Sequence, residues 1–265
     1  MPARLPPWIP ASIRHAPIDF AWRGAQQHCG PVNAVTPLLR KLDNTTLCGQ
    51  LSLCAGLLSW AAVRFMDAAA EAASCLELAE AAFAYQVDWR YADPSAGSVR
   101  TAPDAPPALS ALMEVAVYLW KGMDRATYWD SIHAPVRETF HAAHVVQHVM
   151  PQAERPAFVD WFELAIARVQ QHAHAPHGPA HSRNDFDNPE DWQRFIAAHR
   201  GPALPPELLD PGFDYQPAQR EALAARFLAR LDGSANRYLR SPQEMLRLGF
   251  DGEPYRLGAP RQPSP

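Results

Sequence analysis

The stretch HAAHVVQH, residues 141–148, sets three histidines within eight residues. Neutral imidazole is a metal ligand and a general base near neutral pH, so three on one surface raise metal-assisted chemistry first. Wound as a helix with His141 at zero, His144 falls at about -60°, His148 at about -20° and Glu138 at about 60°. One face then gathers four groups able to ligate. Glu138 and His141 have the Glu-x-x-His spacing of di-iron bundles. Such a site needs a second Glu-x-x-His and further glutamates from other helices, and the chain has no second copy. Arg137, at about -40°, puts a fixed cation inside the stripe. Ala142, Val146 and Val149 set the apolar face elsewhere, at about 80° to 140°. The favoured reading is a polar stripe facing solvent or a partner, with no metal site. Glu138, His141, His144 and His148 are the ligand set of the alternative, an all-α metal-dependent enzyme.

Other reactive types give less. His28 beside Cys29, in QHCGP, pairs a thiol with a base, but sequence neighbours rarely meet as nucleophile and base, and no oxyanion element accompanies them. His172, His174, His177 and His181 form a compositional tract without a frame to hold one geometry. No Gly-x-Ser-x-Gly, phosphate-binding glycine loop, His-Glu-x-x-His or paired Cys-x-x-Cys occurs. The expectation is a protein without catalytic residues or cofactor.

Acidic residues point to binding instead. NDFDNPEDW brings Asp185, Asp187, Glu190 and Asp191 together with Phe186 and Trp192 interleaved. Carboxylates steer an encounter with a basic surface and aromatic rings supply contact area, so Asp185, Phe186, Asp187, Glu190 and Asp191 are the candidate partner-binding residues. The competing reading is an ordinary helix start whose acids answer the dipole while Trp192 faces the core. A second acidic region, Asp67, Glu71, Glu77, Glu80 and Asp88, is spread round its helix and reads as solvated surface.

The elements that position these groups are helical. The chain has 265 residues, 48% hydrophobic, enough for a substantial core. Its 27 prolines supply most of the punctuation. From Asn44 to Val63 no charge occurs, a length that would span a bilayer. Leu47, Leu51, Cys54, Leu58, Ala61 and Phe65 form a large apolar stripe there, opposite the small residues Gly49, Ser52, Gly56, Ser59 and Val63. That pattern predicts the central buried helix of a bundle rather than a membrane span. Further helices are expected from Pro37, over 68–90, 108–122, about 126–149 with a kink or fresh start at Pro135, 155–172, from Asn188, 217–231 and from Ser241 to Gly249. Residues 92–107 and the stretch after 172 read as loops. No alternating strand pattern appears. The expected fold is all-α: an irregular bundle of about eight helices with Pro-rich loops. It is read as a single helical domain over 1–265, with an irregular start over about 1–33, pinned by Trp8, Phe20 and Trp22, and a less regular last third over about 174–265.

Net charge is -4 and the pI about 6.2, which argues against nucleic acid as partner. Charge is unevenly placed: residues 1–50 carry five basic and two acidic side chains, residues 67–114 two basic and eight acidic. The proline-rich start lacks the apolar run of a secretory signal. Cys29, Cys48, Cys54 and Cys75 form no framework, which suits free thiols in a reducing cytoplasm. The cytoplasm is the expected location, with no membrane partner.

The stretch ANRYLRSPQEMLRLGFDGEPYRL, 235–257, resembles the tail of immunity proteins of bacterial type VI secretion toxin–immunity pairs, in particular those that protect against nuclease-type effectors. The resemblance rests on a short capped helix followed by Gly-Phe and a Pro-Tyr segment, and covers about a tenth of the chain. It implies a non-catalytic protein whose partner is a cognate toxin, neutralised by occlusion of its active site or substrate surface. An effector chaperone or adaptor from the same locus is the related alternative. A nuclease presents a basic surface to phosphate, so an acidic inhibitor can compete for it.

Overall fold

The computed structural model describes residues 5–29, 35–93, 101–102, 104–128, 134–176 and 183–257, without the side chains of 125–128, 134 and 183. Among these residues there are ten α-helices, eight of seven residues or more, and no strand. The helices are α1 (Ala25–His28), α2 (Pro37–Asp43), α3 (Leu47–Arg64), α4 (Ala72–Val87) and α5 (Pro107–Tyr128). They continue with α6 (Ala134–Val149), α7 (Arg155–His172), α8 (Pro189–Arg200), α9 (Arg220–Ala229) and α10 (Pro242–Arg247). The all-α bundle expected from periodicity is the architecture found. Short 3-10 turns and irregular chain fill the spaces between helices.

The axle is α3, all eighteen of whose residues are buried. Thr46 starts it, its hydroxyl accepting the Gly49 N–H at 3.3 Å. The large stripe and the small groove are covered by different neighbours, with α4, α5, α6 and α7 all packed on α3. α7 lies in the groove: a Cβ at Gly49 would sit 2.6 Å from Val169, and one at Gly56 within 3.0 Å of Leu209 and Trp161. The indole N–H of Trp161 donates to the Leu209 carbonyl at 2.9 Å, fixing the irregular segment after α8 to the same seam. The serines of the groove are satisfied: Ser59 donates to the Ala55 carbonyl, and Ser52 meets both the Cys48 carbonyl and the amide of Gln86 on α4. By length and composition α3 could cross a membrane, and the whole of that window is buried inside the bundle.

Charge returns where α3 ends, at Arg64, which is 1% exposed. Its guanidinium donates to the carbonyls of Ile13 (3.3 Å), Ala16 (2.6 Å), Pro17 and Val149 (3.3 Å). A buried arginine is tolerated only when its fork is occupied, and here four carbonyls occupy it. The result is that the amino-terminal chain is tied to the foot of α3. Trp8, Phe20 and Trp22 also pack against the core, as expected for pins.

The start of the chain is less irregular than its composition predicts, containing the 3-10 turn Ala11–His15 and α1. Helix α5 runs to Tyr128, beyond the expected end at 122. Pro135 lies in the first turn of α6, so it marks a fresh start and not a kink.

Candidate functional site

The histidine face of α6 is closed by the chain itself. His148 donates from Nε2 to the Ala21 carbonyl at 2.9 Å, and His141 donates from Nδ1 to the Cys29 carbonyl. Each acceptor is a carbonyl, so each ring nitrogen carries the proton. His28 of α1 stacks on His148 with ring centroids 3.8 Å apart and an interplanar angle of 17°. Trp22 also stacks on His28, at 5.1 Å, and Phe20 makes an edge-on contact with His148. His144 packs on Phe140, and burial, followed by the nearby His141, lowers its pKa. The stripe predicted to face solvent or a partner therefore faces residues 20–29 of its own chain. The helical angles place the three rings on one side correctly, but a helical wheel says nothing of what covers that side.

Two of the proposed ligating rings direct a proton at a backbone carbonyl, and Glu138 is buried at 7% exposure. Among the described residues no three His, Cys, Asp or Glu groups converge as a metal site. His172 meets the edge of Tyr215, and His174 is held by a backbone bridge with Thr45; His177 and His181 lie outside the described residues.

All four cysteines are buried, and none is in a disulfide. Burial pushes the Cys48 thiol up to about 11 and Cys75 up to about 12, and raises Cys54 further. Such thiols are protonated and unreactive at neutral pH. Cys29 is 5% exposed, and the His28 ring beside it in sequence is occupied by Trp22 and His148.

The acidic and aromatic cluster behaves in the opposite way. Asn188 caps α8, its Oδ1 accepting the Asp191 N–H at 2.8 Å while its amide donates to the Asp191 carboxylate at 2.8 Å. Asp191 also pairs with Arg194, so this acid serves the helix start, as the competing reading expects. Asp185, Asp187 and Glu190 are exposed. Phe186 lies against Trp192 (5.4 Å) and Phe195 (5.1 Å), and Trp192 stacks on Phe195 at 5.6 Å. His199 continues the row, its ring centroid 3.9 Å from that of Phe195. Trp192 therefore does not face the core. The three rings are half-buried on one another outside the central cluster, and the one fully buried side chain of α8 is Ile196. Phe195 and His199 belong to this patch but were not among the candidates. The spacing 192, 195, 199 is the signal that points to them.

The carboxyl end of α8 fixes the patch in place. Arg200 donates to the Tyr85 and Gln86 carbonyls at 3.3 Å, and the Leu204 N–H donates to Gln86 Oε1 at 3.1 Å. Gly201 adopts φ +68°, and a Cβ there would lie 2.5 Å from the Thr46 hydroxyl. Only glycine suits both the left-handed backbone and that close approach.

The tail 235–257 is a structural clasp. Asn236 donates to the Glu77 carbonyl and to the Glu80 carboxylate, and Ala92 bridges Leu239. Ser241 and Glu244 form the expected capping box of α10. Phe250 and Tyr255, from the Gly-Phe and Pro-Tyr segments, bracket Tyr91 at 5.3 Å and 5.1 Å. Burial raises the Tyr91 hydroxyl to about 12. The second acidic region is likewise absorbed by structure: Asp67 pairs with Arg14 and His15, Asp88 with Arg90, and burial raises the pKa of Glu77. Exposed apolar groups remain beside this clasp, with Leu246 at 70%.

No protein-family model, curated protein or solved structure matches this chain. The fold defines an all-α protein.

Proposed function

We propose that the chain is a non-catalytic binding protein, and specifically an immunity protein that neutralises a cognate secreted antibacterial toxin of nuclease type. The observation that carries the binding role is the Phe186, Trp192, Phe195 patch on α8, edged by Asp185, Asp187 and Glu190. These rings pack on one another outside the central core cluster and each is half-exposed. Aromatic side chains dominate interface energetics, and surrounding acids attract the basic surface a nuclease needs for its substrate. The resemblance of 235–257 to immunity-protein tails supplies the toxin as the partner; α8 supplies the contact surface. Occlusion of the toxin's basic substrate surface is the inhibitory mode that fits this charge. The role belongs to the cytoplasm of the producing cell, and needs no cofactor.

The test is co-expression and pull-down with the product of the neighbouring toxin gene. Binding together with survival of the toxin-expressing cell supports immunity. Binding without protection replaces it with an adaptor role in export. Absence of binding overturns the proposal.

A further inference from the structure

A second property, independent of the toxin, lies in the contact between the amino-terminal chain and α6. We infer that residues 18–29 form a pH-operated strap, latched over α6 by the His28–His148 stack at neutral pH and released as the solution turns acid.

The latch has a defined protonation state. His28 Nε2 accepts the Arg23 backbone N–H at 3.3 Å, so that nitrogen has no proton in the closed strap. Protonation would turn this acceptor into a second donor aimed at the first. The ring also lies 3.8 Å from His148, and two imidazolium rings at that separation repel. His148 and His141 donate to strap carbonyls, and these bonds survive protonation. His28, whose acceptor nitrogen is lost on protonation, is the group that breaks the latch.

The surroundings bias the stack the same way. The strap itself carries Asp19, which acts on Arg64, and Arg23, which acts on His28; α6 carries His141, His144 and the exposed Arg137. From α3 comes Arg64, whose guanidinium is held by carbonyls including Val149. α5 contributes Glu114 and Glu138 of α6 joins it around Tyr118, whose hydroxyl pKa burial and these carboxylates raise; Lys121 lies over the same ring. α2 carries Arg40, Lys41 and Asp43, with Lys41 paired to Glu163 of α7; Arg155 of α7 donates to the Met150 carbonyl. Burial, then His148, then Arg23 lower the His28 pKa below its ordinary value of 6.5. A depressed pKa means that the closed strap is fully favoured above the ordinary histidine value. That preference is lost as pH falls below 6.5 toward the lowered value.

The strap is also built to open locally. Of residues 18–29 only Cys29 is fully buried, whereas the preceding segment is tied by the permanently charged Arg64 at Ile13, Ala16 and Pro17. Acid thus frees 18–29 while 13–17 stays docked, exposing Trp22, Phe20 and the histidine face of α6.

Hydrogen exchange of the full chain at pH about 7.5 and about 5.5, corrected for intrinsic rates, tests this. Peptides covering 18–29 are expected to exchange at least about tenfold faster at the lower pH, with 13–17 and α3 unchanged. In a His28→Gln, His148→Gln double variant, which keeps an acceptor and a donor without titration, the difference should vanish. Unchanged protection in the wild type, or acid opening that persists in the double variant, overturns the inference. Should the double variant already be open at neutral pH, NMR titration of the wild type decides. Strap opening that tracks His28 protonation supports the latch, and a midpoint displaced from it refutes it.

Discussion

Helices α6 and α8 each carry a stripe of polar and aromatic groups, and the chain treats them oppositely. Over α6 it lays residues 20–29, so that two histidine rings spend their protons on backbone carbonyls and a third stacks face to face. On α8, Phe186, Trp192 and Phe195 pack on one another and each is half-exposed. The feature richest in potential ligands is thus an internal fastening, and the feature that resembles an ordinary helix start is the outward one. Ligand chemistry on a helix face thus counts only after the neighbouring chain has been placed.

Breaking the α6 side should cost most. Arg64→Met is expected to lower the unfolding free energy by about 3 kcal/mol or more, because four carbonyls lose a charged donor in a dry site. Denaturant unfolding measures this, and a loss below about 1 kcal/mol would show that residues 13–17 are not fastened there. On the α8 side Gly201→Ala meets both a left-handed backbone and Thr46, and about 2 kcal/mol of destabilisation is expected. Its amide exchange should rise in α8 ahead of α3; uniform loosening would mean that the patch is not separately anchored.

The contrast sharpens where stability and binding separate. Trp192→Ala removes a ring outside the core, so about 1 kcal/mol or less of stability should be lost while affinity for the toxin falls about thirtyfold or more. Calorimetry of both properties on one preparation checks this, and a loss of stability without a loss of affinity would return Trp192 to a structural role. The smallest effect is kinetic. Asp187→Lys with Glu190→Lys should slow association about tenfold at low salt with little change in dissociation, the mark of steering by exposed charge. Unchanged association rates would remove these carboxylates from the encounter surface.

Much of the fold was legible because local rules and burial agree. The uncharged run with a large stripe and a small groove becomes α3, with α7 seated against Gly49 and Gly56. Asn188-Pro189-Glu190-Asp191 starts α8, and Ser241 with Glu244 starts α10, because caps act within three residues. What was not legible depends on partners far apart in the chain. His28 and His148 are separated by 120 residues, so the wheel that grouped the α6 histidines could not show their cover. Arg64 reads as the charge that ends an apolar run, yet it organises the amino terminus. The outward direction of Trp192 was equally hidden, since a helix start with alternating acids and rings suits core and rim alike.

Hydrogen exchange of the chain alone and saturated with the proposed toxin partner at neutral pH tests binding at α8 most directly. Protection concentrated in 185–199, with 141–148 unchanged, is the predicted footprint. Protection centred on the α6 face or the tail, leaving α8 as exposed as before, would contradict it.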